Sequence, residues 1–293
     1  MNDLDSAQRV AALSLWQSPE SVTPISGGIT NVNFVVVDRG QKYFVRIGED
    51  IPVHQIMRFN ELAASQAAHA AGLSPKVLFT EPGVMVLEFI EGKPLSAEDV
   101  RHPDQLPRII ELVRRCHHEV PTFWRGPALL FWVFQVIRHY AAILHEDCSP
   151  YHSDLKDYLQ IAEKLERTIG AIDLVFSHND LLPANFIDDG DRLWLIDYDY
   201  AGFGSPLFDL GGLASNNELN PEQETHMLET YFDKPVTDEL FKRYLAMKCA
   251  SLLREAMWSM ASEIHSTLDV DYVAYTAENL SRFRSALADF DAH

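Results

Sequence analysis

The run Ser177-His178-Asn179-Asp180-Leu181-Leu182-Pro183-Ala184-Asn185 contains H-x-D-x-x-x-x-N, and twelve residues later Leu195-Ile196-Asp197-Tyr198-Asp199 adds further carboxylates. Phosphoryl transfer needs such a set. One carboxylate orients the attacking hydroxyl and accepts its proton, and oxygen ligands hold Mg²⁺ against the nucleotide phosphates. Asp180 suits the first role; Asn185 and Asp197 suit the second. Residues 185–187 and 193–196 are strand-like, and Asp188-Asp189-Gly190-Asp191 reads as the turn joining them. A turn centred near Asp189 brings Asn185 and Asp197 to the open end of that hairpin, where they can share a metal beside Asp180.

The elements that must hold these groups fall into two unlike parts. Residues 1–90 read as a β-rich lobe: a short helix over 4–16, strands at 23–25, 33–37, 42–47, 76–80 and 84–89, and one inserted helix running from Pro52 to Gly72. Glu91-Gly92-Lys93-Pro94 marks a boundary. Residues 91–293 are mainly helical, with apolar stripes such as Ile109, Leu112, Val113 and Cys116, or Tyr158, Ile161, Leu165 and Ile169. The expected fold class is α+β in two lobes, with the ligand cleft between them. Ser26-Gly27-Gly28-Ile29-Thr30-Asn31 lies between two strands; it is either a plain hairpin turn or a loop whose glycines let the backbone approach phosphates. No G-x-x-x-x-G-K-[ST] occurs, which argues against a P-loop enzyme.

The chain has 293 residues, 47% of them hydrophobic, enough for a full core. Its net charge of −19 argues against nucleic acid or an anionic membrane as partner and suits a small cationic one. Cys116, Cys148 and Cys249 are too far apart for a zinc pattern and read as free thiols. Asp3 and Asp5 stand where a signal peptide would be basic, and the most apolar window, 127–137, is too short to span a bilayer. A cytoplasmic protein without membrane insertion is expected.

His178 to Asn185, followed by Ile196-Asp197-Tyr198-Asp199-Tyr200-Ala201-Gly202, resembles the choline/ethanolamine kinases. These belong to the aminoglycoside-phosphotransferase-like branch of the protein-kinase-like fold, and the resemblance runs from about residue 26 to 275. It implies an ATP- and Mg²⁺-dependent kinase acting on the hydroxyl of choline or a related amino alcohol. Asp180 would be the catalytic base, with Asn185 and Asp197 binding Mg²⁺. Phe208-Asp209-Leu210 resembles the family's F-D-[IL] element, so Asp209 should tie its carboxylate to the catalytic-loop backbone.

The same resemblance makes Ser26, Gly27, Gly28, Thr30 and Asn31 the phosphate loop. It makes Arg46 a phosphate-gripping guanidinium held by Glu61, and the backbone of Glu88 and Ile90 an adenine-binding hinge. A quaternary ammonium is held by aromatic faces and nearby carboxylates; the resemblance puts Trp258 and Tyr275 in that cage, with Tyr200 as a third wall. Two departures stand out: Arg254-Glu255 where the family often has another Trp, and Asn216-Asn217 where it has Glu-Trp. Thiamine or an aminoglycoside as acceptor, and an inactive binding module on the same fold, are the alternatives.

Overall fold

The computed structural model describes residues 3–25, 31–268 and 270–293. Helix α1 (Asp3–Ala11) leads into β1 (Pro19–Ile25), β2 (Val32–Asp38) and β3 (Gln41–Ile47). Then follow α2 (Arg58–Ala70), β4 (Val77–Glu81) and β5 (Val84–Glu88). These strands form an antiparallel sheet in the order β1-β2-β3-β5-β4. Strand alternation sorts its side chains onto two faces. Phe34, Val36, Val45, Ile47, Val84 and Val86 pack with Val10 and Leu13 into a small core under α1. Val35, Phe44, Arg46, Met85 and Leu87 face the interlobe cleft instead, in a register that pairs Val35 with Phe44 and Arg46 with Met85. Arg46 is thus delivered to the cleft by the period of β3.

The inserted helix differs from its expected bounds. Only a 3₁₀ turn forms at Pro52–His54, because Gln55 takes a left-handed φ of 59° and Ile51 bridges to Ile56. The α-helix begins at Arg58, after an extended Met57. Its end is as expected: Gly72, at φ 74°, lets the Leu73 N–H reach back to the Ala68 carbonyl at 2.9 Å and close the helix. The first helix also stops earlier than expected, at Ala11.

The second lobe contains β6 (Lys93–Pro94), α3 (Ala97–Arg101), α4 (Leu106–Phe123), α5 (Val133–Glu146), α6 (Leu155–Ile169) and β7 (Val175–Ser177). After them come β8 (Phe186–Asp188), β9 (Leu193–Leu195), β10 (Gly202–Gly204), α7 (Pro206–Asn216), α8 (Pro221–Phe232), α9 (Asp238–His265) and α10 (Tyr272–Ala292). α9 is the axis of this lobe, with α5, α6, α7 and α10 packed on it. Two strands escaped sequence reading. β6 pairs with β8 and β10 pairs with β7; at two and three residues they are too short to show a period. The antiparallel sheet, its one helix and the helical second lobe are those of the expected α+β class.

α7 and α9 approach closely at Gly211, where a Cβ would stand 2.9 Å from the Lys248 Cα. Alanine is the better helix residue by about 1 kcal/mol. Overpacking against backbone costs typically about 1–3 kcal/mol and more when neither helix can yield. Gly211→Ala is therefore expected to lower the urea midpoint at unchanged slope; an unchanged or raised midpoint would show that the two helices separate freely.

Candidate active site

β7 ends at Ser177 and hands the chain to the loop carrying His178, Asn179 and Asp180. The loop is fixed by a carboxylate from α7. Asp209 accepts the His178 N–H at 2.8 Å and the Asn179 N–H at 2.7 Å, as expected from the sequence. His117 of α4 adds a contact from Nε2 to the same carboxylate at 2.9 Å, while its Nδ1 lies 2.6 Å from the Tyr231 hydroxyl. With Nε2 donating to Asp209, Nδ1 accepts from Tyr231. The His178 ring in turn donates from Nε2 to the Ile196 carbonyl at 2.9 Å, locking the loop to the strand that leads to Asp197.

Asn179 and Asp197 both adopt left-handed backbone, at φ 66° and 68°. Asn and Asp tolerate this region better than other side chains, and such conformations cluster at functional sites. The Asn179 side chain donates to the Tyr200 carbonyl at 2.9 Å, tying the loop to the segment just past Asp197. Asn185 ends a 3₁₀ turn begun by Pro183, and its carbonyl accepts the Ile196 N–H at 3.0 Å. Asn185 and Asp197 therefore flank the open end of the β8–β9 hairpin. The Asn185 amide nitrogen donates to the Asp180 carbonyl at 2.8 Å. Its Oδ1 is thus the atom left to meet a cation. A carboxamide oxygen and a carboxylate are the hard donors that Mg²⁺ prefers, so Asn185 and Asp197 fit that ion. Burial, then the Asp197 carboxylate, push Asp180 well above the usual carboxylate range; Arg254 pulls it down.

Arg46 meets three carboxylates through Nη1: Glu61 at 2.6 Å, Asp197 at 2.8 Å and Asp199 at 3.0 Å. The expected Arg46–Glu61 pair is present, and it is buried. Two members of the cluster, Arg58 and Asp199, are absent from the sequence expectation. Arg58 donates to Glu61 at 2.6 Å and to Asp199 at 2.9 Å. Asn31 donates to Asp199 at 3.0 Å, connecting the glycine-rich segment to the second lobe. The i, i+3 spacing of Arg58 and Glu61 was a usable signal, but it lay inside a helix expected to start earlier. Asp199 stands two residues beyond Asp197, and its role is visible only once Arg46 and Arg58 are placed beside it.

The interlobe cleft has a volume of about 430 Å³. Its walls are mostly apolar, from Val35, Phe44, Met85, Leu87 and Ile187, and its floor reaches Arg46 and Asp197. Glu88, Phe89 and Ile90 border it where the hinge was expected. Ser26, Gly27, Gly28 and Thr30 lie outside the described residues.

On the far side of the loop, Tyr200, Trp258 and Tyr275 come together. The Trp258 indole donates from Nε1 to the Tyr200 hydroxyl at 2.9 Å, and its ring lies 6.3 Å from that of Tyr275. Trp258 is only 5% exposed. The Tyr275 hydroxyl donates to Glu255 at 2.8 Å. Asn217, which caps α7, is buried and bonds back to the Leu213 carbonyl of that helix at 2.8 Å.

Comparison with known proteins gives a consistent picture. The family profile described as choline/ethanolamine kinase matches residues 22–284. A probable ethanolamine kinase A of Dictyostelium discoideum is 28% identical, over 90% of this chain and 84% of that protein. A choline/ethanolamine kinase family protein from Mesorhizobium loti superposes with a TM-score of 0.78 at 26% identity, covering 98% of this chain and 95% of that one. The choline kinase LicA of Streptococcus pneumoniae reaches a TM-score of 0.80 at 22% identity, covering 97% of this chain and all of that one.

Both Asp209 oxygens accept from the loop backbone, so the carboxamide of Asp209→Asn must turn an N–H₂ group against one backbone N–H. Leaving a buried donor unpaired costs about 1–3 kcal/mol. Asp209→Asn is expected to lose stability by that order and to lower kcat more than it raises the KM for nucleotide. An effect confined to nucleotide KM would show that Asp209 does not hold the loop.

Proposed function

The chain belongs to the choline/ethanolamine kinase family, and we propose that its site transfers the γ-phosphate of ATP to the hydroxyl of a small amino alcohol of the choline or ethanolamine class. The observation that carries this reading is the Asp209-pinned loop. It sets Asp180 and Asn185 beside Asp197, which meets a buried arginine at the floor of an apolar cleft.

The apolar cleft receives the nucleotide base, with backbone groups of Glu88 and Ile90 at its rim, and Ser26, Gly27, Gly28, Thr30 and Asn31 are the residues we assign to binding the phosphates. Glu61 holds the Arg46 guanidinium where it meets phosphate oxygens by paired, charge-assisted hydrogen bonds. Asn185 and Asp197 would hold Mg²⁺, which supplies charge neutralisation on the phosphates when bound. Asp180 orients the acceptor hydroxyl and takes its proton as the oxygen attacks in line. Tyr200, Trp258 and Tyr275 wall the acceptor side. No helix among the described residues is long and apolar enough to cross a membrane, and we place the reaction in the cytoplasm, where ATP is available.

Asp180→Asn keeps the size and removes the base. Loss of a general base typically costs about 10²–10⁴-fold in rate, so kcat is expected to fall by that factor while ATP affinity holds; full turnover by this variant would remove Asp180 from the reaction. Asp197→Ala is expected to abolish turnover and to weaken ATP binding in the presence of Mg²⁺ far more than in its absence. Titration calorimetry with and without the metal checks this, and equal Mg²⁺-ATP affinity in parent and variant would overturn the metal assignment.

A further inference from the structure

Two groups on the acceptor side have no part in the reaction described above: the Arg254 guanidinium and the Glu255 carboxylate. Arg254 sits on α9, one turn before Trp258, and is 6% exposed. Its Cζ stands 5.3 Å from the centre of the Tyr200 ring, within the roughly 6 Å reach of a cation–π contact. Its Nη1 lies 3.1 Å from Glu255, and its Nε is buried with no partner among the described residues. It lines a cavity of about 280 Å³ with Tyr140, Tyr200 and His54.

The indole of Trp258 is equally engaged. His54 lies 5.0 Å from it, Tyr272 6.0 Å and Tyr275 6.3 Å, and its N–H is committed to Tyr200. Burial, then the Arg254 charge, hold His54 down to about 3, so it packs on Trp258 as a neutral ring. The aromatic faces that would take up a cationic head group are already in contact with groups of the protein. One of those groups is itself a cation.

We propose that Arg254 is a specificity-determining residue of the acceptor site: as the protein's own cation against Tyr200 it disfavours a quaternary ammonium, and it leaves Glu255 to bind an ammonium that can donate N–H. The inference rests on the amino-alcohol kinase reading. Among the described residues each Glu255 oxygen has one partner, Tyr275 on Oε1 and Arg254 on Oε2. A carboxylate offers about four acceptor sites, so room remains for N–H donors. Trimethylammonium has none to offer, and the Tyr200 ring face it would need is already taken by the guanidinium. Arg254 and Glu255 both lie within electrostatic range of Asp180, which puts this choice next to the reacting hydroxyl.

The test is a methylation series on the full-length protein with ATP and Mg²⁺: ethanolamine, its N-methyl and N,N-dimethyl derivatives, and choline. For the parent, kcat/KM is expected to fall along the series, most steeply when the last N–H is lost, by about tenfold or more overall; a cation–π contact and a charge-assisted hydrogen bond are each of that order. Arg254→Met is expected to narrow the ethanolamine-to-choline ratio by about tenfold through a lower KM for choline, with the KM for ATP unchanged. A parent that uses choline as well as ethanolamine overturns the proposal without any variant. A ratio unmoved in Arg254→Met overturns the role of Arg254. Failure of the parent to phosphorylate any member of the series overturns the amino-alcohol reading itself, and the inference falls with it.

Discussion

The charge cluster around Arg46 is the interaction on which the rest of the site depends. It joins the sheet through Arg46, α2 through Arg58 and Glu61, and the second lobe through Asp197 and Asp199. Burying such charges is expensive, and their mutual attraction offsets that cost only when every partner is present and well placed. The cluster therefore constrains how the lobes meet. A lobe rotated out of register would leave guanidinium or carboxylate groups buried and unpaired. Its composition is also uneven, with three carboxylates against two guanidiniums, so the floor of the cleft keeps an excess of negative charge beside the place assigned to the metal.

A second carboxylate centre, Asp209, does for the loop what the first does for the lobes. Neither of its oxygens faces the reaction. They turn the backbone at His178 and Asn179, and His117 and Tyr231 hold Asp209 from behind. The left-handed conformations of Asn179 and Asp197 persist because both neighbourhoods are over-determined by such bonds. Asp180 is thereby presented between two environments of opposite character. One is an apolar cleft suited to a flat heterocycle; the other is the polar and aromatic acceptor wall on α9 and α10. Arg254 and Glu255 place a paired cation and carboxylate among these aromatic rings, with the guanidinium over Tyr200.

Much was legible in the sequence because it is local. The hairpin that brings Asn185 and Asp197 together follows from a turn rich in Asp and Gly between two short apolar runs. The place of Arg46 on the cleft face follows from the two-residue period of β3, and the end of α2 from Gly72. Pro52 is a good helix start, yet residues 52–57 form only a 3₁₀ turn and an extended lead-in to α2. The left-handed Gln55 and the Ile51–Ile56 bridge that prevent it carry no composition signal.

What only the tertiary structure decided is which distant side chains meet. Arg58 and Asp199 are 141 residues apart and His117 and Asp209 are 92 apart, and each pair exists because packed elements deliver both ends to one buried point. Trp258 shows the same division. The family resemblance put it in an aromatic wall, but its engagement by His54, Tyr200, Tyr272 and Tyr275, with Arg254 over Tyr200, depends on how α9 packs against its neighbours and the segment after Asp197. Motif and period are set by neighbours along the chain. The partner of a buried charge is set by desolvation, which acts only when the whole fold has excluded water from it.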